Sequence, residues 1–309
     1  MFWGIVFAIL GFLVFAVLVT AFVCFVRIFY SPKRKICEEF EIPEGKIYEE
    51  YREVMIDWMR WVRGLPCREL SLRSHDGLTL WGRYFECRQG APIELLFHGY
   101  KGSSERDLCG GVARCFALGH NVLIVDHRAS GESDGHVISF GINESRDCAA
   151  WVDLILRRID PDARIILAGI SMGAATVLIA SGRELPENVV GVVADCGYTS
   201  AKEIIKKVMR EMRLPAELLY PFAKLGAKIF GHFDLEETSP REAMERCKLP
   251  VIFFHGDADD FVPHAMSEEN FAACGAKKRL VTVKSAGHGL AFPVDQALYL
   301  RELREFFEI

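Results

Sequence analysis

Apolar positions along the chain change their spacing several times, and each change marks a different kind of element. From Met1 to Val26 no charged residue occurs, and at a rise of about 1.5 Å per residue such a helix outruns the ~30 Å hydrocarbon core of a bilayer. The pattern predicts a transmembrane helix over 1–26. A cleaved signal peptide would need a basic leader, a shorter apolar core and a small-x-small cleavage site, and this stretch has none of them. Residues 27–67 open with a basic run (Arg27, Lys33, Arg34, Lys35) and continue with Ile47, Tyr51, Val54, Met55, Trp58 and Trp61 at spacings of threes and fours. That is the apolar stripe of a surface helix packing on a larger body. From about residue 69 the texture turns to alternation, "ELSLRS" and "LTLWGRYFE" around His75-Asp76-Gly77. A D-G between two alternating runs signals a β-hairpin.

Six short apolar runs follow: "IELLFHG", "NVLIVDHR", "RIILAGIS", "VVGVVADCG", "PVIFFHGD" and "RLVTVKSAGH". Near-continuous Val/Ile/Leu runs alternating with helical stretches predict an α/β domain over 68–309, with a mostly parallel central sheet covered by helices on both faces. The alternation lapses between Tyr198 and Cys247, where the sequence offers amphipathic helices near Ala201–Arg213 and Pro215–Gly226 but no strand. An insertion over 198–247 is expected to form a helical lid at the carboxyl edge of the sheet, where open α/β folds bind ligands. The first of its helices interleaves Ile204, Ile205, Val208, Met209 and Met212 with Lys202, Lys206, Lys207, Arg210 and Arg213. Such a helix either covers the pocket or lies at a lipid interface.

Charge narrows the setting. The net charge of −5 gives no basic footprint for nucleic acid, and the one basic cluster follows the apolar span. Basic flanks stay cytoplasmic, so the expectation is a single-pass protein of the cell membrane with a cytosolic domain. Ten cysteines, none in a C-x-x-C pair, suit scattered reduced thiols better than a disulfide framework. On this reading the stretch from Arg27 to about Pro66 is a short tether, and if the first lid helix lies at a lipid interface, a chain lacking residues 1–35 should still hydrolyse a soluble short-chain ester yet keep salt-sensitive binding to anionic vesicles.

Two segments match G-x-S-x-G: "GISMG" around Ser171 and "GESDG" around Ser133. A nucleophile elbow requires a strand that runs into a tight turn and then a helix, which lifts the serine oxygen above a helix N-terminus. "RIILAGIS" followed at once by "MGAATVLIASG" supplies both. Ser133 lacks the following helix, and Glu132 and Asp134 would repel a developing oxyanion.

A serine hydroxyl needs a base, and the base needs a third group to hold its tautomer. In this topology the order is Ser, acid, His, and of His232, His255, His264 and His288 only His288 lies in a glycine-flanked loop past the last strand. For the acid, Asp257, Asp259, Asp260 and Asp195 all follow buried strands, and spacing does not choose among them. A metal set of His255, Asp257, Asp259 and His264 matches no ligand spacing such as H-E-x-x-H.

With these motifs in order, the chain resembles the α/β-hydrolase fold family, in particular its small membrane-anchored or cytosolic serine hydrolases of bacterial type. The resemblance covers about 68–309 and rests on "FHGYKGS", "DHRASGESDG", "GISMG", "DCGYTS", "HGDADDFVP" and "AGHGLAF". It implies Ser171 as nucleophile, His288 as base and Asp259 as acid, the last from the pattern H-G-x-x-D-x-x-V-P. It further implies an oxyanion hole from the backbone N–H groups of Tyr100 and Met172, with His98 bonding neighbouring loops. "GESDG" becomes the family's usual loop after the fourth core strand. The implied activity is hydrolysis of an ester, thioester or amide through an acyl-enzyme, foremost a carboxylesterase or lipase on a small-molecule or lipid-like acyl substrate, without metal or organic cofactor. A serine peptidase or acyltransferase would use the same triad, and a silent anchored binding module is the contrasting class.

Overall fold

The computed structural model describes residues 2–32 and 39–308. Lys33, Arg34, Lys35 and Cys37, part of the basic flank and one of the ten cysteines, lie outside the described residues. Helix α1 (Phe2–Ile28) is followed by α2 (Lys46–Glu49), α3 (Arg52–Arg63), the strands β1 (Arg68–Arg73), β2 (Thr79–Phe85) and β3 (Ile93–Phe97), then α4 (Ser104–Ala117), β4 (Asn121–Val125) and α5 (Ile142–Arg158). The second half runs β5 (Ile165–Ile170), α6 (Met172–Ser181), β6 (Val189–Asp195), α7 (Ala201–Glu211), α8 (Ala216–Phe230), α9 (Pro240–Arg246), β7 (Val251–Gly256), α10 (His264–Ala273), β8 (Lys278–Val283), α11 (Ala291–Val294) and α12 (Gln296–Phe307).

The strands form one sheet in the order β1-β2-β4-β3-β5-β6-β7-β8. The first two strands are antiparallel to their neighbours, and the six apolar runs pair in parallel. Period-two alternation sorts each run between two cores. Leu95, Phe97 and Phe253 face Trp151, Ile155 and Val177 on one side, while Leu96, Val193 and Phe254 face Val112, Tyr299 and Phe306 on the other. Helix α6 lies beneath the sheet's centre with every residue buried. This explains its apolar character all round.

The amino-terminal helix is not a free anchor. It is long and apolar enough to cross a membrane, and residues 2–19 are exposed along its length. Its last turns, however, are built into a third core. Ala21 and Phe29 are fully buried, and Phe25 nearly so. They pack with Phe140, Met172, Tyr198, Ala223, Ala227 and Phe233. Gly226 of α8 makes the helix crossing close, since a Cβ there would stand 2.4 Å from the Ala21 carbonyl oxygen. Just past α1, Ile138 N–H donates to Phe29 O at 2.9 Å and Ser31 N–H to His136 O at 2.9 Å. The stretch expected to be a tether is therefore integral to the domain at its start.

Helices α7 and α8 fill the segment where a lid was expected. Ile204, Ile205 and Met209 of α7 are buried in the third core, and Lys206 and Arg210 pair with Glu217. These three positions of the α7 stripe are thus used within the protein, while Met212, just past the helix, is exposed.

Candidate active site

Strand β5 ends at Ile170 and α6 begins at Met172, which leaves Ser171 alone in the turn with φ 55° and ψ −116°. A non-glycine residue at positive φ is strained, and close packing holds it there. A Cβ on Gly169 would lie 2.2 Å from the Gly173 carbonyl carbon, and one on Gly173 would lie 2.0 Å from Phe97 O. Only glycines permit that approach of β3, β5 and α6. Ser171 N–H donates to Asp195 O at 2.8 Å, which ties the turn to β6.

His288 lies beyond β8, where the loop turns back over the sheet. Its Nε2 is 2.9 Å from Ser171 Oγ and its Nδ1 is 2.8 Å from Asp259 Oδ2. The carboxylate fixes the tautomer: Nδ1–H donates to Asp259, and Nε2 accepts from the serine hydroxyl. Asp259 Oδ1 in turn accepts from the backbone N–H of Phe261 at 3.0 Å and of Val262 at 2.8 Å. Burial pushes the Asp259 carboxyl up, but hydrogen bonds from His255 and His288 outweigh it and hold the group below the usual carboxylate range.

The other candidates go elsewhere. Asp257 accepts from Ser285 N–H at 2.6 Å, and Asp195 accepts from the Tyr299 hydroxyl at 3.2 Å. Ser133 is fully buried. Its hydroxyl donates to Asp126 O at 2.8 Å and accepts from Trp81 N–H at 2.9 Å, which clamps β2 to the loop after β4. His264 bonds Thr282 at the surface, so the four residues weighed as a metal set do not converge. Cys196, Asp259 and His288 do place ligand atoms within 4.8 Å of one another. Burial drives the Cys196 thiol well above its ordinary value, so beside the triad it stays a neutral thiol.

Gly99 follows β3 so closely to Ser171 that a Cβ there would be 3.6 Å from the serine Cβ. This brings Tyr100 beside Ser171 on one cavity wall. Met172 opens α6, and first-turn amides have no partner within their own helix. His98, fully buried, has its Nδ1 2.7 Å from Gly99 O and accepts from His127 N–H on Nε2 at 3.0 Å. Burial lowers its pKa, so it stays neutral as a brace between two loops.

Several residues at the site carried no sequence signal. His255 is fully buried beside the acid: its Nε2 lies 2.8 Å from Val262 O and 3.2 Å from Asp259 Oδ2, and its Nδ1 lies 2.6 Å from Ser267 Oγ. A hydroxyl donating to Nδ1 leaves the proton on Nε2, facing the carboxylate. Asp107 accepts from Gly99 N–H at 3.1 Å. Tyr48, from the amino-terminal arm, donates its hydroxyl to His288 O at 3.0 Å. The cavity in front of Ser171, about 610 Å³, is walled by Ile47, Tyr48, Met55 and Trp58 of that same arm. No residue of 198–247 lines this cavity: residues 43–58 supply part of its wall, while α8 packs along α1.

A model of the family described as "alpha/beta hydrolase fold" matches residues 95–223, the span from β3 through the elbow into α8. The chain has the α/β-hydrolase fold. Among the proteins it is similar to, YqkD of Bacillus subtilis is 30% identical over 192 residues, 62% of this chain and 63% of that protein. The protein bem46 of Schizosaccharomyces pombe is 28% identical over 216 residues, 68% of this chain and 66% of its own length. The match thus spans less than two thirds of each relative. An esterase of Pyrococcus furiosus superposes with a TM-score of 0.67 at 19% identity, over 90% of this chain and 97% of that one. That likeness is one of fold.

Proposed function

We propose that the protein is a membrane-anchored serine hydrolase that cleaves an ester, thioester or amide through an acyl-enzyme, with carboxylesters as its main substrates. The observation that carries this reading is the unbroken hydrogen-bonded line from Ser171 Oγ through His288 to Asp259, at 2.9 and 2.8 Å, on the wall of a largely apolar cavity. In the proposed cycle, Ser171 attacks the carbonyl carbon while His288 Nε2 takes its proton. Asp259 stabilises the imidazolium, and the backbone N–H groups of Tyr100 and Met172 receive the oxyanion. His288 then gives the proton to the leaving alcohol, thiol or amine. Water repeats the sequence on the acyl-enzyme and restores Ser171.

Anchoring belongs to the same proposal. Residues 2–19 of α1 stand clear of the domain, and eighteen residues at about 1.5 Å each nearly match the ~30 Å apolar core of a bilayer. Arg27 at the inner end of α1 and the basic residues after it would hold the domain on the cytosolic side. The decisive experiment is labelling with a fluorophosphonate probe. Covalent modification of Ser171, lost in Ser171→Ala, is expected. A folded protein that resists the probe and turns over no ester would instead be a binding module.

A further inference from the structure

The cavity in front of Ser171 is not apolar throughout. Leu96, Ala168 and Phe292 continue the wall begun by the arm, but Arg114, Tyr299 and Asp195 also line it. These three are hidden from solvent, at 6%, 1% and 7% exposure. They form a chain: the Tyr299 hydroxyl donates to Asp195 Oδ2 at 3.2 Å, and Arg114 Nη1 reaches the Tyr299 oxygen at 3.5 Å. Arg114 Nη2 pairs with Glu94, whose other oxygen meets His120 Nδ1 at 2.8 Å.

Two atoms in this chain are left over. Arg114 Nε and Asp195 Oδ1 are buried with no hydrogen-bond partner among the described residues. An unpaired buried donor or acceptor costs about 1–3 kcal/mol, and more when the group is charged. Both atoms belong to residues that line one cavity, so a group bound against those side chains could complete them. Charge points the same way: Glu94 is matched by Arg114, while Asp195 has only the Tyr299 hydroxyl on one oxygen. A plain alkyl chain would seal these atoms from water and offer them nothing. A hydroxyl offers a proton to the carboxylate oxygen or a lone pair to the guanidinium N–H.

We infer, resting on the reading of Ser171 as nucleophile, that the cavity selects acyl chains that carry a hydroxyl group away from the scissile carbonyl, with Asp195 and Arg114 as the residues that read it. Tyr299 is a positioning residue: it occupies Asp195 Oδ2 and so leaves Oδ1 to the ligand. A site built to bond a substrate hydroxyl discriminates strongly against the analogue that lacks it.

The test uses the full-length protein in detergent. The substrates are p-nitrophenyl octanoate, the same ester with a hydroxyl on each successive carbon toward the chain end, and the ω-amino ester. The expected result is that at least one hydroxylated isomer exceeds the plain ester in kcat/KM by about tenfold or more. That ratio should fall toward one in Asp195→Leu and shrink in Tyr299→Phe. Because each ratio is taken within one protein, a reduced folded fraction cancels. Plain octanoate matching every hydroxylated isomer in the wild type, or a ratio that survives Asp195→Leu, overturns the selectivity. So does a preference for the amino ester, which would make the site a cation reader. Those outcomes leave the hydrolase reading intact as long as the fluorophosphonate still labels Ser171. Failure of both labelling and turnover overturns the hydrolase reading and the selectivity with it.

Discussion

Where the chain is cut decides whether a soluble form survives. Among the described residues, a protein beginning at Thr20 loses only ones that are exposed on α1. A protein beginning at Ile36 also loses Ala21, Phe25 and Phe29, which are 0%, 6% and 0% exposed. It loses as well the Ile28 carbonyl, which accepts from the Tyr100 hydroxyl at 2.6 Å. Phe29 packs edge-on against Phe140 and Phe233 with ring centroids 5.7 and 5.4 Å apart. Emptying a buried Phe site costs about 3–5 kcal/mol, so the two phenylalanines together are worth roughly 6 kcal/mol or more. This is comparable with the ~5–15 kcal/mol that holds a whole domain folded. At the ~2 °C or more per kcal/mol typical of domains this large, the midpoint should fall by about 12 °C or beyond. Thermal unfolding followed by tryptophan fluorescence should give the Thr20 form a midpoint near that of the detergent-solubilised full chain. The Ile36 form should melt far lower or aggregate, and Phe29→Ala in the full chain should fall between. Equal midpoints for the two truncations would refute the claim that α1 is part of the fold.

Ser171→Ala should abolish ester turnover, whereas Ser133→Ala should leave kcat within a small factor while lowering stability by about 1–3 kcal/mol, the cost of stranding the Trp81 amide; comparable kinetic losses in both would contradict the elbow assignment. Asp259→Asn should cut kcat by roughly three to four orders of magnitude through the wrong His288 tautomer, and Asp257→Asn, which loses only a turn contact to Ser285, should be mild; steady-state kinetics of the pair decides. Burial pushes the Asp195 carboxyl from its ordinary 3.8 up to about 6, so the folded state holds that proton more tightly than the unfolded one. The wild type should therefore lose stability relative to Asp195→Asn as pH rises between those values, by about 3 kcal/mol at ~1.4 kcal/mol per pH unit, and run parallel to it above and below. Urea titrations of both proteins across that range test the sign; parallel curves throughout would show that Asp195 is not strained by burial.

The sheet was legible because each strand is a run of Val, Ile and Leu bounded by turn residues, a pattern with one cheap solution. The place of Ser171 between a strand and a helix was legible for the same reason. The acid was not: Asp257, Asp259 and Asp260 share one turn, and which carboxylate faces His288 depends on the backbone path, which resemblance supplied and spacing did not. The docking of α1 on α8 was hidden by uniformity, since a helix apolar on every side marks no face. The stripe of α7 was ambiguous because an apolar face reads alike whether it meets lipid or protein. Tyr48 and His288 lie 240 positions apart, and no local pattern joins residues so distant. The Asp195–Tyr299–Arg114 chain has no local signal because its members are scattered over β6, α12 and α4, and Asp195 stood out only as one of four candidate acids.

The arm at residues 43–58 gives the protein an exchangeable front. The residues that would carry out the chemistry all lie after β3, within or beside strands that the fold cannot vary freely, whereas much of the cavity wall comes from a short helical stretch before the first strand. Trp58 leans on Phe292 with ring centroids 5.5 Å apart, and Tyr48 holds the His288 loop through one backbone bond. On the proposed function, substrate preference can therefore be changed by rewriting some fifteen residues that precede the sheet. Grafting this arm from one relative onto another should transfer chain-length preference while leaving turnover of the smallest esters with the recipient.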